Sequence, residues 1–385
     1  MIGDKLVPSR LPTVHRGAPG PSPADPARPL PGSHCVSSAL PAAKPTSTTL
    51  KERDSKCGTF SIAAMDPETR EWGIAVASRV FDAGYALIWL APEIGGVATQ
   101  ALINPHLGRW ALEEMAKGAT PDAALKAALA KDASPEDRQV GIVDRNGTAA
   151  AHTGSKTQEW AGHRTAESVT VQGNILVGQE VVDDMLGAFL ESSGPLSERL
   201  LVALEAGEAA GGDKRGKQSA ALVVVRKNGG YDGANDRLVE LRIPDHPEPV
   251  VELRRLYEMW KYGLLVPAYA RLADDEPDGS GALLHRVHSL LQSALTDELD
   301  KAEVYNSLAW HLALRKKYPQ ETLKAAQRAR DLDPGDPNIL DTLAEAYFAA
   351  GDNQQAIHWE QEALRRAPDN PFFHKQLARF TALDS

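Results

Sequence analysis

The stretch that most constrains the fold is residues 59–79, which read TFSIAAMDPETREWGIAVASR. Its first half alternates between two faces of an extended segment, which predicts a strand. Asp66 and Pro67 then start a turn, and the mostly apolar segment Trp72–Ala77 predicts a second strand that is covered on both faces. The first strand carries Phe60, Ile62 and Ala64 on one face and Thr59, Ser61 and Ala63 on the other. We therefore predict a β-hairpin whose first residue is a threonine directly behind a glycine.

Further strands and helices follow in runs up to residue 243. The strongest hairpin signal is the turn Asp144-Arg145-Asn146-Gly147, which is typical of a tight turn between two strands. The other predicted strands are 85–91, 97–101, 139–144, 148–153, 219–226 and 237–243, and the predicted helices are 105–117, 120–131, 180–191 and 195–210. Strands in runs that alternate with paired helices indicate two packed antiparallel sheets with helices outside them. The fold class predicted for this part of the chain is therefore α+β.

After Pro244 only helices are predicted, and the last of them repeat. Helices are expected at 248–262 and 267–299, the second with a break at 274–281. From Glu303 a 34-residue period follows, in which Pro334 recurs as Pro368. The second copy resembles the tetratricopeptide (TPR) pattern through Leu340, Leu343, Ala344, Tyr347, Gly351, Ala356, Ala363 and Pro368. We therefore predict a helical connector at 263–302 and an all-α module of TPR-like repeats at 303–385, with Ala344, Tyr347 and Ala363 in its core.

Motifs spread over residues 59–262 resemble the DUF1028 family, whose members are similar to the N-terminal nucleophile (Ntn) hydrolases. The motifs are TFSIA at 59–63, DPET at 66–69, GIAVASR at 73–79, ATQA at 98–101, NPHLG at 104–108, DRQVGIVD at 137–144, AGHRT at 161–165, VQGNIL at 171–176, GGDKRGKQSAAL at 211–222 and NDRLVELR at 235–242. The resemblance implies an Ntn-type αββα sandwich, which we place at 57–262. It does not imply a substrate, because the family has no settled one.

The N-terminal segment 1–56 differs from the rest of the chain in composition. It holds ten of the 26 prolines and no aromatic residue, so it cannot bury enough apolar surface to offset the entropy of ordering. We predict a disordered Pro-rich segment, and the sequence leaves open whether it is a low-complexity tail or reflects a start codon assigned too far upstream. It lacks the apolar region of a signal peptide, so we expect a cytoplasmic protein. A disulfide between Cys35 and Cys57 stays open.

Charge and composition argue against several classes of partner. The formal net charge is −10 and no basic block stands out, so nucleic acid is not an expected partner. No apolar run has the length of a membrane span. His152 and His163 flank a loop that contains Trp160, but no third ligand follows at metal spacing. We therefore expect neither a metal site nor a cofactor.

Thr59 is the residue that the resemblance singles out for chemistry. A threonine at a chain start carries its own base, because its α-amino group has a pKa of about 7.7–8.0 and can take the hydroxyl proton. This role requires the removal of residues 1–58, and a glycine at position 58 permits the strained backbone that self-cleavage needs. The alternatives are that Thr59 merely starts a strand, or that Ser61 or Cys57 is the nucleophile.

Four further residues are candidates for the same site. Asp213 and Ser219, on the loop 211–219, could hold the amine of Thr59, and the amide of Asn174 could donate to an oxyanion. Proteasome-like relatives place an aspartate before the serine of this strand and a lysine on a following one. Here Ala77 stands at the aspartate's place and the lysine is missing, so Arg79 could supply the positive charge instead. The alternatives are a charged surface turn for Asp213 and Ser219, and a strand-end turn residue for Asn174. For Arg79 the alternative is an arginine paired with a carboxylate at the sheet edge.

Two functions from different classes follow. The first is an Ntn-type amidohydrolase, in which Thr59 attacks an amide or peptide-like carbonyl of an unknown small substrate and water clears the acyl-enzyme. The second is a non-catalytic protein with the same fold that uses its TPR-like repeats to bind a protein or peptide partner. The sequence leaves the oligomeric state open.

Overall fold

A computed structural model describes residues 58–382 of the 385-residue chain. The predicted disordered segment 1–56, Cys57 and the last three residues lie outside the described part. The strands are β1 Thr59–Asp66, β2 Glu71–Ser78, β3 Ile88–Ala91, β4 Gly95–Ala101, β5 Arg138–Asp144, β6 Ala149–Thr153, β7 Gly162–Ala166, β8 Val169–Asn174, β9 Ser219–Val225 and β10 Arg237–Ile243. The α-helices are α1 Ala83–Leu87, α2 His106–Ala116, α3 Pro121–Leu129, α4 Glu180–Glu191, α5 Leu196–Ala209, α6 Pro249–Trp260, α7 Val266–Asp275, α8 Ser280–Thr296, α9 Ala302–Ala313, α10 Pro319–Leu332, α11 Pro337–Ala349, α12 Asn353–Arg366 and α13 Pro371–Thr381.

The strands form two antiparallel sheets that stack face to face. The larger sheet has six strands in the order β10-β9-β2-β1-β8-β7, and the smaller has four in the order β3-β4-β5-β6. Helices α4 and α5 cover the outer face of the larger sheet, and α2 and α3 cover that of the smaller one. The predicted four-layer αββα arrangement and the α+β class are therefore confirmed.

The alternation predicted for β1 decides which side chains lie between the sheets. Phe60 and Ile62 pack into the core shared with the outer helices, whereas Ala63 and Met65 pack with Trp72 in the layer between the sheets. Both faces of β1 and β2 are buried along their whole length. Because side chains alternate along a strand, Thr59 and Ser61 lie on the same face of β1 as Ala63 and also point toward the smaller sheet.

The segment predicted as a strand at 85–91 is a strand only from Ile88, and the prediction was wrong for the residues before it. Residues Ala83–Leu87 form the short helix α1 instead. Ala83 and Leu87 are one helical turn apart and bury together against Val76 and Ala221. Burial at this spacing favours a helix, and it leaves the intervening Tyr85 exposed.

The helices after Pro244 begin with one long continuous helix. α6 runs into a wide π-type turn, Lys261–Leu265, and then into α7 without a break. Pro267 therefore lies inside this continuous helix, directly after the wider turn, and its missing N–H leaves one backbone carbonyl without the usual helical donor. The predicted boundary between the sandwich (57–262) and the helical connector (263–302) falls within this continuous helix.

The last five helices pack as the predicted antiparallel pairs. α9 pairs with α10 and α11 with α12, and α13 closes the end against α12. Ala344 and Ala363 are fully buried where neighbouring helices approach, and Tyr347 is partly buried beside them. The chain therefore ends in TPR-like helical repeats, whose core continues without interruption into that of α6–α8 and the larger sheet.

Candidate functional site

Thr59 is the first residue of β1, a central strand of the larger sheet. Strand β1 is flanked by β2 and β8, and its register places Thr59 opposite Ser78 on one side and Asn174 on the other. Only 2% of Thr59 is exposed, and Gly58 before it is buried too. The Gly58–Thr59 peptide bond is therefore held inside the protein at the point where the chain enters the sheet.

A short chain of hydrogen bonds joins the Thr59 hydroxyl to the carbonyl of the residue before it. Ser78 Oγ lies 3.0 Å from Thr59 Oγ1 and donates to the Gly58 carbonyl oxygen at 2.5 Å. A carbonyl oxygen can only accept, so the single hydroxyl proton of Ser78 is committed to Gly58. Thr59 must then donate its own proton to Ser78. The Ser78 proton is therefore bound to the Gly58 carbonyl and does not occupy a lone pair of Thr59 Oγ1.

The Gly58 carbonyl has a second, charged donor in Arg215. One guanidinium nitrogen of Arg215, Nη2, lies 2.8 Å from the Gly58 oxygen and 2.7 Å from Asp213 Oδ2, so each of its two protons has an acceptor. Nε of the same side chain donates to Asp213 Oδ1 at 3.0 Å. Asp213 therefore fixes the plane of the guanidinium by a two-point contact.

The Asp213 carboxylate is itself held tightly. Beyond the two bonds from the Arg215 side chain, it accepts the backbone N–H groups of Arg79 at 2.9 Å and of Arg215 at 3.0 Å. Its side chain is 1% exposed. Gly58 packs directly on this carboxylate, because a Cβ placed on the glycine would lie 2.6 Å from Asp213 Oδ1. The loop 211–219 thus reaches the start of β1 through Asp213.

A layer of buried amides fills the space between the sheets beside Thr59. Gln100 donates to the Thr59 carbonyl at 3.3 Å and to Gln139 at 2.9 Å, and Asn174 donates to the same Gln139 oxygen at 2.9 Å. Ser61 donates to Gln100 at 2.6 Å and accepts from Gln172 at 2.6 Å. The Ser61 hydroxyl proton is therefore committed within this layer, which we call the amide layer, and Ser61 does not contact Gly58.

The remaining predicted site residues lie around this centre and not in it. Arg79 brings its backbone N–H to Asp213, but its guanidinium turns outward and donates to Gln218 at 2.8 Å. Ser219 donates to the Val80 carbonyl at 2.6 Å and accepts from the Ala83 backbone N–H at 3.1 Å, so it holds the start of α1. Asn174 points its amide into the amide layer. Among the predicted residues, Asn174 thus pairs with Thr59 across the sheet, and Asp213 packs on Gly58 directly before it.

Ser78, Arg215 and the three glutamines were not predicted as site residues. Ser78 ends a strand and Arg215 lies in a charged loop, and neither context distinguishes a functional side chain from a surface one. The glutamines carried a usable signal, because Gln100, Gln139 and Gln172 each stand within a strand that is otherwise largely apolar or small. Buried polar side chains must find partners, so three of them in neighbouring strands indicate a shared network.

His152 and His163, the two histidines that flank the Trp160 loop, take part in structural contacts. His163 Nδ1 lies 2.9 Å from Thr153 Oγ1 at the edge of the amide layer, and His152 Nε2 lies 3.0 Å from the Pro135 carbonyl. Burial, and then the charges of His152 and Arg164, lower the pKa of His163 below its usual range. Within residues 58–382, no group of three or more His, Cys, Asp or Glu side chains is arranged to hold a metal ion. The helices of this same part include none with the length and apolar character of a membrane span.

Comparison with known proteins places most of this region in one family. Residues 59–253 match a family of unknown function, DUF1028. The crystal structure of the DUF1028 protein SPO2555 from Silicibacter pomeroyi is similar at 33% sequence identity and a TM-score of 0.50, over 54% of this chain and 88% of that one. A thermophilic TPR protein of Thermus thermophilus, TTC0263, aligns at 21% identity and a TM-score of 0.29, over 35% of this chain and 72% of that one. No curated protein matches.

Proposed function

This chain belongs to the DUF1028 family, and from its site we propose that it is an amidohydrolase in which Thr59 becomes the N-terminal nucleophile after the chain cleaves its own Gly58–Thr59 bond. The observation that carries the proposal is the double donation to the Gly58 carbonyl, from Ser78 and from Arg215, beside the Thr59 hydroxyl. Two donors aimed at one carbonyl oxygen form the arrangement that stabilises an oxyanion. A peptide carbonyl that merely leads into a strand has no need of a partly buried guanidinium held in place by a buried carboxylate.

Self-cleavage would begin with attack of Thr59 Oγ1 on the Gly58 carbonyl carbon. Negative charge then develops on the Gly58 oxygen, where the Arg215 guanidinium and the Ser78 hydroxyl meet it. The carbon–nitrogen bond breaks, the hydroxyl proton passes to the Thr59 nitrogen, and an ester joins Gly58 to Thr59 Oγ1. This step frees the Thr59 amine, and one water molecule then splits the ester, which leaves a carboxyl group on Gly58 and restores the hydroxyl of Thr59.

The same groups then serve an external substrate. The free Thr59 amine takes the proton of Oγ1, directly or through a water, because its pKa of about 7.7–8.0 leaves a useful neutral fraction. Oγ1 attacks the substrate's amide carbonyl, and the proton passes to the departing amine. Water then hydrolyses the acyl-enzyme. The donors on Ser78 and Arg215 would face the oxyanion both when the acyl-enzyme forms and when water hydrolyses it. One set of side chains would thus serve self-cleavage and turnover.

The first test follows the mass of the purified chain with time. We expect the intact protein to convert to a species that begins at Thr59, because the amine must be freed before it can act as a base. Thr59→Ala should abolish the conversion, Thr59→Ser should retain part of it, and Ser78→Ala should slow it about a hundredfold by removing a donor to the oxyanion. Intact-protein mass spectrometry over several days measures all three.

The control is Thr99→Val, which changes another fully buried threonine whose hydroxyl has no hydrogen-bond partner among the described residues. Thr99 lies in β4, so its loss should leave the conversion rate unchanged. A parent protein that keeps residue 58 attached under all conditions would reject the proposal. The fold would then serve binding, as in the second function considered above.

A further inference from the structure

Resting on the function proposed above, we propose that the substrates are amides whose acyl group carries no L-side chain on its α-carbon, glycyl amides being the simplest case. The inference starts from what surrounds Gly58. In self-cleavage Gly58 is the acyl group, so the walls around it are the walls of the acyl site. The structure allows those walls to be measured directly.

The wall on the side-chain face of Gly58 is the Asp213 carboxylate. A Cβ in the L-configuration at position 58 would lie 2.6 Å from Asp213 Oδ1, 2.8 Å from Oδ2 and 2.8 Å from Cγ. All three distances are shorter than carbon makes with non-bonded atoms. Three atoms of one carboxylate group thus crowd the position that the Cβ would need.

The carboxylate cannot move aside without breaking the oxyanion donor. It accepts four hydrogen bonds, from the backbone N–H groups of Arg79 and Arg215 and from Nε and Nη2 of the Arg215 side chain. The Nη2 group also donates to the Gly58 carbonyl. A displacement of Asp213 would therefore carry Arg215 away from the carbonyl that it stabilises. The Asp213–Arg215 pair therefore both limits the acyl group sterically and supports the reaction electrostatically.

An external acyl group meets the same limit because the two ester intermediates are equivalent. Self-cleavage passes through a glycyl ester on Thr59 Oγ1, and turnover passes through an acyl ester on the same atom. With the ester's carbonyl oxygen between Ser78 and Arg215, the α-carbon takes the position of the Gly58 α-carbon. An acyl group with hydrogen at the side-chain position fits, whereas an L-alanyl group collides with Asp213.

Activated esters test this limit on the self-converted protein, which begins at Thr59. The probes are the p-nitrophenyl esters of N-acetylglycine and of N-acetyl-L-alanine, which differ by one methyl group. We expect release of p-nitrophenol, in excess of that by Thr59→Ala, to be at least about tenfold faster in kcat/KM for the glycine ester, since one added methyl group in a filled site costs that much. The ratio of the two esters' spontaneous hydrolysis rates corrects for their intrinsic reactivity.

The outcomes separate the inference from the function on which it rests. Equal rates on the two esters, both dependent on Thr59, would overturn the acyl limit and leave Thr59 as the nucleophile. No Thr59-dependent release from either ester would overturn both.

The same limit can be tested within the chain, independently of any added substrate. Gly58→Ala should slow self-conversion at least about tenfold, because the new methyl group meets Asp213. The matched control is Gly187→Ala, in helix α4, where an added Cβ meets no atom within 4 Å. Conversion of Gly58→Ala at the rate of Gly187→Ala would contradict the inference.

Discussion

At the scale of single residues, Asp213 acts on the Gly58 carbonyl through Arg215. The guanidinium fork, 3.0 Å and 2.7 Å from the two carboxylate oxygens, leaves one Nη2 proton to aim at Gly58. An arginine side chain has several rotatable bonds, so without the fork it would spend little time in this one orientation. Asp213 therefore positions Arg215 as a donor to the Gly58 carbonyl.

We expect Asp213→Asn to slow self-conversion about ten- to a hundredfold while the protein stays folded. The amide keeps the shape of the carboxylate but presents N–H protons to Arg215, so the fork opens and the donor to Gly58 is lost part of the time. The rate is read by intact mass, and folding by far-UV circular dichroism.

Asp132→Asn is the matched control, because Asp132 forms the same two-point contact with Arg138 at 2.9 and 3.1 Å, between α3 and β5. It should leave the conversion rate at the parent value. If both variants converted equally fast, Asp213 would have no part in positioning Arg215.

At the scale of the secondary-structure elements, the amide layer fixes how the two sheets face each other. Gln172 of β8 reaches across the gap and lies on β5 at Gly141, where an added Cβ would come within 2.0 Å of Gln172 Oε1. The glycine therefore leaves room for a side chain from the opposite sheet. This contact joins elements that are far apart in the chain, and it brings the partners of Ser61 into place.

Gly141→Ala should therefore destabilise the protein by about 1–3 kcal/mol, because Gln172 must leave the layer or the sheets must separate. The buried amides that lose partners add to this cost. Thermal unfolding followed by circular dichroism measures the change, with Gly187→Ala as the variant that adds a methyl group into open space. A midpoint equal to that of Gly187→Ala would show that the amide layer tolerates a side chain at position 141.

The sequence predicts the elements of this fold better than it predicts the site. Alternation assigned both faces of β1 correctly, since each residue's face depends only on its neighbours in the strand. The contact between Gly58 and Asp213 could not be predicted in this way, because it depends on where the loop after α5 lies relative to β1. The helix at 83–87 was missed for a similar reason, since its buried face is completed by Ala221 from another strand.

At the scale of the whole molecule, the far end of the β1–β2 hairpin joins the sandwich to the helices. Arg286 of α8 contacts Asp66 at 2.7 Å and Glu68 at 3.0 Å in the hairpin turn. Glu71, fully buried beside them, accepts a hydrogen bond from Tyr269 of α7 at 3.3 Å. Burial, and then the charge of Asp66, raise the pKa of Glu71 to about 7. The hairpin that carries Thr59 at one end thus carries the helical docking contact at the other.

This raised pKa predicts a stability that falls as the pH rises. In the folded protein Glu71 keeps its proton up to about pH 7, whereas in the unfolded chain it loses it near pH 4.5. The unfolded state therefore binds fewer protons between these values, and the stability that the neutral carboxyl confers at low pH is lost progressively up to about pH 7. The difference corresponds to about 3 kcal/mol. Arg226 and Tyr269, which also act on Glu71, oppose part of the rise in pKa.

We expect Glu71→Gln to unfold at a higher temperature than the parent at pH 8 and to show a smaller fall in midpoint between pH 5 and pH 8. The glutamine keeps the shape of the neutral carboxyl and cannot ionise. Scanning calorimetry at several pH values measures both effects. Glu113→Gln, which changes an exposed carboxylate paired with Arg109 on α2, should keep the parent's pH dependence. A parent midpoint that did not fall between pH 5 and pH 8 would contradict a buried neutral Glu71.

The position of β1 in the larger sheet has a consequence for a chain that is still being made. Its two neighbours come from later in the sequence, β2 soon after it and β8 more than ninety residues on, and Arg215 follows later still. A ribosome that adds about 5–20 residues per second makes Arg215 roughly eight to thirty seconds after Thr59. Ser78, the first donor to the Gly58 carbonyl, is made soon after Thr59, but the Gly58–Thr59 bond is synthesised long before Arg215, the second donor. A reaction at that bond that needs Arg215 must wait until most of the sandwich has been synthesised, so a nascent chain would keep its N-terminal segment through the first part of folding.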